Sequence, residues 1–433
     1  MAALRRDPAW RPQARPHVQI AFPRFEYGAG GIGHHELRQS LVLKDLWVGE
    51  PLERAADGLR PAIEEAAAAL SHLNADPFTV RRAAGAMAEW LMLDELEGDG
   101  ADDDELERRA ELLVRSLRGL PVGAWINADL VGVALLCPPV EFTWPEGIRV
   151  SLRAIGPEDL GGDICLEWAA AAERRVQSRP SALLRLEYEA ANGAGWQPHL
   201  ERAVAILRLF GVGGVAWTRA EAGTQSLVDV HGGILLLDQD GGSRRKYPLL
   251  DGAAAARLPR FWEAVGAALP REFYWESPED PVGLDAAWFN YRVEAGRFGY
   301  VNERIADVVR SLESLFLADD EKERITETLA GRAAALLGAC GFEPREVRRT
   351  IRWAYEVRSR YVHGAALSPR TASRIEAGAG GLVPLLHRCL EYNRAALVAT
   401  VLSGADKPGL LRLLRNDRAL RGAGAAYRAL HGG

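Results

Sequence analysis

Apolar residues recur at helical spacing in three successive segments beyond residue 300, and this pattern limits the fold more than any other feature of the sequence. Ile305, Val308, Val309, Leu312 and Phe316 fall at positions i, i+3, i+4, i+7 and i+11, which places them on one face of a helix. Such faces bury themselves against one another, so successive helices with short loops predict a bundle. A second apolar face at helical spacing is formed by Ile325, Leu329, Ala333, Leu336 and Leu337, and a third by Val347, Ile351, Ala354, Tyr355 and Val362.

The bundle is expected to occupy residues 284–433 and to contain four to five helices. Glu343-Pro344 marks the start of the third helix and Gly364 its end, because proline suits a first helical turn and glycine a C-terminal cap. Residues 382–401, with Pro384 near the start, predict a fourth helix, and 408–414 predict a short fifth. The segment SPEDPVG at 277–283 is typical of a linker.

Residues 1–283 are predicted to form an α+β region whose role stays open, with a division near residue 140 as an alternative. Strands are expected at 18–27, 148–155, 163–169, 212–218, 226–230 and 233–238. Helices are expected at 63–93, 106–117, 199–210 and 253–269. The stretch GDGADDDE at 98–105 is expected to be an acidic loop.

The net charge of −6 conceals a basic C-terminal block. Residues 341–433 carry 16 Lys and Arg against 7 Asp and Glu, and the rest of the chain is acidic. A basic block on an acidic protein indicates an anionic partner. The alternative is that these arginines belong to ordinary solvated helix faces, because the Ala-, Gly- and Arg-rich composition is typical of a GC-rich genome.

The sequence predicts a cytoplasmic protein without a membrane partner. No apolar run approaches the roughly 20 residues of a membrane span, and the first residues, rich in Arg and Pro, do not resemble a signal peptide. Four widely spaced cysteines, Cys137, Cys165, Cys340 and Cys389, match neither a disulfide framework nor a zinc ribbon. We expect buried free thiols, no bound metal and no cofactor.

Two charged residues interrupt the apolar faces of the first two bundle helices. Glu313 follows Val309 by four positions, and Arg332 lies three after Leu329. A charge that faces a core requires a partner. We therefore predict a structural ion pair between Glu313 and Arg332; the alternative is that either side chain escapes at the edge of its face.

Arg358 and His363 lie at the end of the third helix, in the segment YEVRSRYVHG. Histidine is the usual proton-transfer group near neutral pH, and the guanidinium of arginine offers several donors to a phosphate. Together they supply what metal-free RNA cleavage needs: attack by the ribose 2′-OH on the adjacent phosphate, with stabilisation of the charge that develops there. The alternative is a capping histidine beside a core arginine.

Residues 311–338 and 346–364 together resemble the ApeA-like family of HEPN domains. The resemblance rests on Leu312-Glu313, Leu315-Phe316, the helix with Arg332-Ala333-Ala334 and, above all, Tyr355 to Gly364, and it covers about the last third of the chain. It implies an all-α HEPN bundle, and Arg358 and His363 match the family's catalytic pair. Many active members carry Asn, Asp or His directly after the arginine, where this chain has Ser359.

The resemblance further implies a metal-independent endoribonuclease in prokaryotic antiviral defence or a toxin system. Family members usually form homodimers in which two Arg…His motifs share one cleft. The expected partners are therefore a second copy and RNA, either tRNA or other single-stranded RNA. Residues expected to support the site or bind RNA are Ser359, Arg360, Tyr361, Arg352, Arg349 and Arg345.

Two other functional classes remain as alternatives. The bundle can be a catalytically silent HEPN module that mediates dimerisation or binds RNA. An enzyme in the N-terminal region has only His34-His35-Glu36 in its favour, and neighbouring histidines point apart on regular structure. The glycines of Gly28-Ala-Gly-Gly-Ile-Gly33 formally fit a dinucleotide-binding motif, but no βαβ unit is recognisable after them.

Overall fold

The computed structural model describes two compact units formed by discontinuous stretches of the chain. The first unit comprises residues 1–131, 138–196 and 217–237, and the second comprises 132–137, 197–216 and 238–433. The architecture is an N-terminal α/β region with an antiparallel sheet, followed by a helical C-terminal part. The structure describes residues 17–28, 31–42, most of 61–87, 103–144, 146–155, 181–190, 196–211, 214–224, 231–234, 249–269, 283–296 and 300–431.

The first unit is built around a six-stranded sheet with the order β5-β6-β7-β3-β8-β9. Its central pair, β3 and β7, is antiparallel from Val122 opposite Ala190 to Leu130 opposite Ala182. Along β3 every second residue is buried, from Val122 to Leu130, so one face of the strand forms core. The strands are β3 (Val122–Val131), β5 (Val140–Thr143), β6 (Arg149–Ala154), β7 (Ala182–Ala190), β8 (Ala216–Thr224) and β9 (His231–Ile234).

Prediction of this sheet succeeded only in part. β6 lies where a strand was predicted at 148–155, and β8 and β9 overlap predicted strands. The central strands β3 and β7 were missed, although apolar and charged residues alternate along β7 in Leu184-Arg185-Leu186-Glu187 and display a strand's period of two. The strands predicted at 163–169 and 226–230 lie outside the described residues.

Helices and a hairpin complete the first unit. Helix α1 (Asp103–Leu117) packs its Leu113 and Leu117 against helical residues within 61–87, among them Val80 and Ala83. Asp103 to Glu105, predicted as loop, therefore begin a helix. Strand β1 (His17–Gly28) pairs antiparallel with β2 (Gly31–Val42).

Residues 28–33 do not form a dinucleotide-binding motif, because that motif connects a strand to a helix, whereas here strand β1 is followed by strand β2. Gly28 stands opposite Gly31 in the register of β1 and β2. His34 and His35 lie within β2, opposite Phe25 and Arg24.

From Leu284 onward the described residues form eight helices rather than the four to five that were predicted. Two of the missed helices, α8 and α11, contain glycines, which disfavour helix formation. Close packing explains why glycine occupies these positions. A Cβ on Gly378 would lie 2.1 Å from the Trp353 ring, and one on Gly424 would lie 2.2 Å from the Ala339 carbonyl oxygen. The helices are α4 (Leu284–Gly296), α5 (Val301–Phe316), α6 (Ile325–Ala339), α7 (Pro344–Val362), α8 (Pro369–Ala379), α9 (Leu382–Ser403), α10 (Lys407–Leu413) and α11 (Asp417–His431).

The second unit also contains elements that precede residue 284, so its boundary differs from the predicted one. It includes α2 (Trp196–Phe210) and α3 (Gly252–Ala268). It also includes β4 (Ala134–Leu135), which pairs in parallel with β10 (Leu249–Leu250). Both helices were predicted, at 199–210 and 253–269, but were assigned to the N-terminal region.

Side chains of the bundle explain why α2 belongs to it. The last carbonyls of a helix have no partner within the helix. Tyr291 of α4 donates its hydroxyl to the Arg208 carbonyl at 3.0 Å. Arg394 of α9 donates from Nη1 to the carbonyls of Leu209, at 2.8 Å, and Phe210, at 3.5 Å. These bonds tie the C-terminus of α2 to α4 and α9.

Arg394 is buried, with 4% of its surface exposed, and every one of its nitrogens has a partner. Glu391, one turn earlier on α9, accepts from its Nε and Nη2 at 3.2 and 2.5 Å. Tyr427 of α11 accepts from Nη2 at 3.1 Å, and the Nε2 atom of His431 lies 3.0 Å from Nη1. The pairing raises the pKa of Arg394 despite its burial, so this charge is permanent.

No helix among the described residues is long and apolar enough to cross a membrane. Cys340 and Cys389 are buried free thiols, as predicted, whereas Cys137 is half-buried. Burial raises the pKa of the Cys340 and Cys389 thiols to about 12, so both remain protonated and unreactive at neutral pH. Cys165 lies outside the described residues.

The contact between His431 and Arg394 predicts a specific loss of stability in acid. Burial, and next the positive charge of Arg394, lower the pKa of His431 to about 4 from an ordinary 6.5. As the pH falls below 6.5, His431 becomes protonated in the unfolded chain, whereas in the folded protein it stays neutral until about pH 4. We expect the free energy of unfolding to fall over this window by about 2 kcal/mol from this residue, allowing for partial solvent screening.

The measurement is denaturant unfolding from pH 7.5 to 4 of wild type and His431→Gln, which keeps a polar side chain but does not titrate. The difference between the two proteins should change with pH in the stated direction. Two parallel stability curves would contradict the assignment.

Candidate functional site

Helix α7 is held by an apolar face and ends in a defined cap. Val347, Ile351, Ala354 and Val357 are buried along one side. At the start, the Glu343 side chain accepts the backbone N–H of Arg345 at 2.9 Å. This N-cap and the buried face fix the helix, and with it the direction of its last turn.

The last turn of α7 places His363 at the C-cap. Gly364 adopts a φ of +64°, a conformation that glycine tolerates without strain. Its N–H donates to the Tyr361 carbonyl at 3.0 Å, and the N–H of Ala365 donates to the Arg360 carbonyl at 2.8 Å. This pair of bonds is the Schellman motif, and it confirms the predicted helix end before Gly364.

Arg358 lies on the half-buried side of α7, with 27% of its side chain exposed. Its Nη2 donates to Oε2 of Glu313 on α5 at 3.3 Å. The guanidinium also lies over the ring of Tyr355, 5.7 Å from its centre. The Nε atom is buried and, within the described part of the chain, has no hydrogen-bond partner. The guanidinium is thus anchored while one of its donors remains unused.

Glu313 is the group that faces this guanidinium. Burial raises the pKa of its carboxyl above the ordinary value, and the charges of Arg358 and Arg310 oppose that rise. Its side chain is 19% exposed, so the ion pair with Arg358 is only partly screened by water. Burial of the Tyr355 ring, and next the charge of Glu313, raise the pKa of the Tyr355 hydroxyl.

The predicted ion pair between Glu313 and Arg332 is wrong. Arg332 instead forms a bidentate salt bridge with Glu321, in which Nη1 and Nη2 each lie 2.5 Å from a carboxylate oxygen. Its Nη1 also donates to the carbonyl of Phe316, the last residue of α5, at 2.6 Å. Each charge does have a partner, as expected. The partner of Arg332 is Glu321, in the loop after α5, which was overlooked. The partner of Glu313 is Arg358.

His363 is exposed, and exposed apolar side chains precede it. Tyr361 is 38% and Val362 is 50% exposed. Arg358 and His363 are five residues apart, so their directions differ by about 140° around the helix axis. In a single chain, one residue of the pair therefore faces the interior of the bundle and the other faces solvent.

The predicted supporting residues are spread over the surface of α7. Arg352 forms an exposed ion pair with Glu327 of α6, and Arg349 lies over the ring of Trp353 at 5.3 Å. Arg345 and Arg360 are exposed, and Ser359 is half-buried and accepts the N–H of His363 through its carbonyl at 3.2 Å. Arg360 and Tyr361 lie in the same last turn as His363, whereas Arg345 and Arg349 lie near the other end of the helix.

Sequence reasoning missed that Glu313 is the partner of Arg358. The signal was available, because Glu313 and Arg358 each interrupt an apolar face, and the faces of α5 and α7 pack together. Among the described residues, no group of three or more His, Cys, Asp or Glu side chains is placed to hold a metal ion.

Comparison of the chain with protein-family models, with curated proteins and with solved structures gives no match.

Proposed function

We propose that the helical C-terminal part is a metal-independent endoribonuclease of the HEPN type, with Arg358 and His363 as its catalytic pair. The observation that carries the proposal is the state of Arg358: a half-buried guanidinium, 27% exposed and held on one side by Glu313. A charged donor in a partly dry environment binds a phosphate more strongly than one in open solvent. His363 stands one and a half turns further on, exposed, at a rigid cap.

The chemistry requires no group beyond these two side chains and the RNA. The ribose 2′-OH attacks the neighbouring phosphorus, and the P–O bond to the next nucleotide's 5′-oxygen breaks. His363 accepts the proton that the 2′-oxygen loses and gives it to the departing 5′-oxygen. Arg358 donates hydrogen bonds to the phosphoryl oxygens as their charge increases. The products are a 2′,3′-cyclic phosphate and a 5′-hydroxyl. DNA is not cleaved because it lacks the 2′-OH.

We further propose that two copies complete the site. Because Arg358 and His363 point in different directions on one helix, a phosphate held by one of them is out of reach of the other unless a second α7 faces the first. The exposed side chains of Tyr361 and Val362, beside His363, supply an apolar surface for such a contact. Basic side chains on α7, including Arg345, Arg348 and Arg360, are exposed and can attract the RNA backbone.

The second candidate function is a catalytically silent HEPN module for dimerisation or RNA binding. It is favoured by the Glu313 carboxylate, which occupies one side of the guanidinium that would bind the phosphate. Ser359 favours it too, because many active members of the family have Asn, Asp or His there. If the nuclease is active, its role is expected in prokaryotic antiviral defence or a toxin system.

The direct test is cleavage of total tRNA and of a defined single-stranded RNA in excess EDTA. Arg358→Ala and His363→Ala should each lower the rate by about 10²-fold or more, because each removes a group that acts in the transition state. Arg412→Ala, an exposed arginine on α10, is the matched control and should cleave like wild type.

A folded wild type that cleaves nothing, or equal cleavage by wild type and both variants, would favour the silent module. Loss of cleavage on addition of EDTA would contradict the metal-independent chemistry.

The shared site predicts that dimerisation and cleavage fail together. Val362→Asp places a charge in the proposed contact, so we expect a monomer by sedimentation and a cleavage rate reduced by at least about tenfold. Leu120→Asp is the control, because Leu120 is similarly exposed, at 46%, but lies in the first unit. A Val362→Asp variant that is monomeric yet fully active would show that one chain contains the whole site.

A further inference from the structure

A cavity of about 630 Å³ lies within the first unit, at the end of the sheet where β3 begins and β7 finishes. Its size falls within the range of small-molecule sites. Strands β3, β6, β7 and β8 and helix α1 all contribute to its wall. None of these residues belongs to the proposed nuclease site, which is in the second unit.

The wall of the cavity carries a net positive charge. Four arginines line it, two from α1 and one each from β6 and β7, against two glutamates of β7. A concave surface with an excess of one charge concentrates ligands of the opposite charge. The wall therefore favours an anion.

Two guanidiniums in this wall share one carboxylate partner. Glu187 accepts from Arg185 at 2.8 Å and pairs with Arg149 at 3.2 Å. One carboxylate thus orients two arginines and neutralises only one of their charges. Arg149 is 71% exposed and Arg185 is 46% exposed, so their remaining donors are accessible. Two oriented guanidiniums with one excess charge suit a phosphate group.

An aromatic ring lies beside these arginines. Trp125 of β3 stands directly opposite Glu187 of β7, and Glu187 stands opposite Arg149 of β6. The three side chains therefore form a row across neighbouring strands. A Cβ on Gly223 would lie 2.9 Å from the Trp125 ring, so this glycine of β8 makes room for the indole. The half-buried ring also lines the cavity, where a base can stack on it.

We propose that this cavity binds a free nucleotide, with its phosphate on Arg149 and Arg185 and its base against Trp125. A nucleotide combines both parts in one ligand: the two arginines match its phosphate, and the indole ring matches its base. The site would give the first unit a ligand of its own, and the proposal does not depend on the nuclease activity of the second unit.

The test is calorimetric titration of the full chain with the four ribonucleoside 5′-monophosphates, adenosine and inorganic phosphate. At least one monophosphate should bind, and should bind at least about tenfold more tightly than inorganic phosphate or adenosine. Arg149→Gln should weaken it by about tenfold, the usual effect of losing one charged hydrogen bond. Arg153→Gln is the matched control, because Arg153 lies on the same strand, four positions after Arg149, and does not line the cavity.

The remaining outcomes separate this site from the proposed nuclease site. Arg358→Ala should bind the nucleotide like wild type, and a short single-stranded RNA should not displace it. Failure of all four monophosphates to bind, unchanged binding by Arg149→Gln, loss of binding in Arg358→Ala, or displacement by the RNA would each overturn the proposal.

Discussion

The buried guanidinium of Arg394 is the interaction on which the helical unit depends. A charge with 4% of its surface exposed is tolerated only when its donors are satisfied, and here they bind Glu391, Tyr427 and the carbonyl end of α2. Three helices, α2, α9 and α11, are thereby fixed to one point. An apolar residue at position 394 would leave the α2 carbonyls without these partners, so polar contacts as well as apolar burial specify which helices pack together.

The same helix that carries Arg394 helps to position the candidate site. Helix α9 packs against α5 and against α7, and α5 packs against α7. That arrangement sets Glu313 against Arg358 and leaves the last turn of α7 projecting with His363 at its cap. The half-buried arginine and the exposed histidine are consequences of one helix face that is apolar from Val347 to Val357, about three turns, and then ends. We propose that a second copy, rather than a movement within one chain, brings both side chains to one phosphate.

Apolar spacing sufficed to predict α5, α6, α7 and α9, because a helix that buries one face displays its period in the sequence. It failed at α8 and α11, where glycines at 378 and 424 are required by contacts with distant residues that no local pattern reveals. The strands β3 and β7 were also missed, although the alternation of apolar with polar residues along them was visible in the sequence. Arg358 and His363 were predicted from a local motif, whereas the Glu313–Arg358 and Arg332–Glu321 pairs depend on which helix faces meet, and that is a property of the whole bundle.

We propose that the 2′-oxygen of the RNA is the nucleophile and that Arg358 and His363 assist it. The most direct measurement uses a defined RNA with a single 2′-deoxynucleotide at the principal cleavage position, and compares its cut sites with those of the unmodified RNA. The proposed chemistry requires cleavage to stop at that bond, to continue elsewhere, and to leave 2′,3′-cyclic phosphate ends. Undiminished cleavage at the deoxy position, leaving 5′-phosphate ends, would show that water attacks instead and would contradict the proposed chemistry.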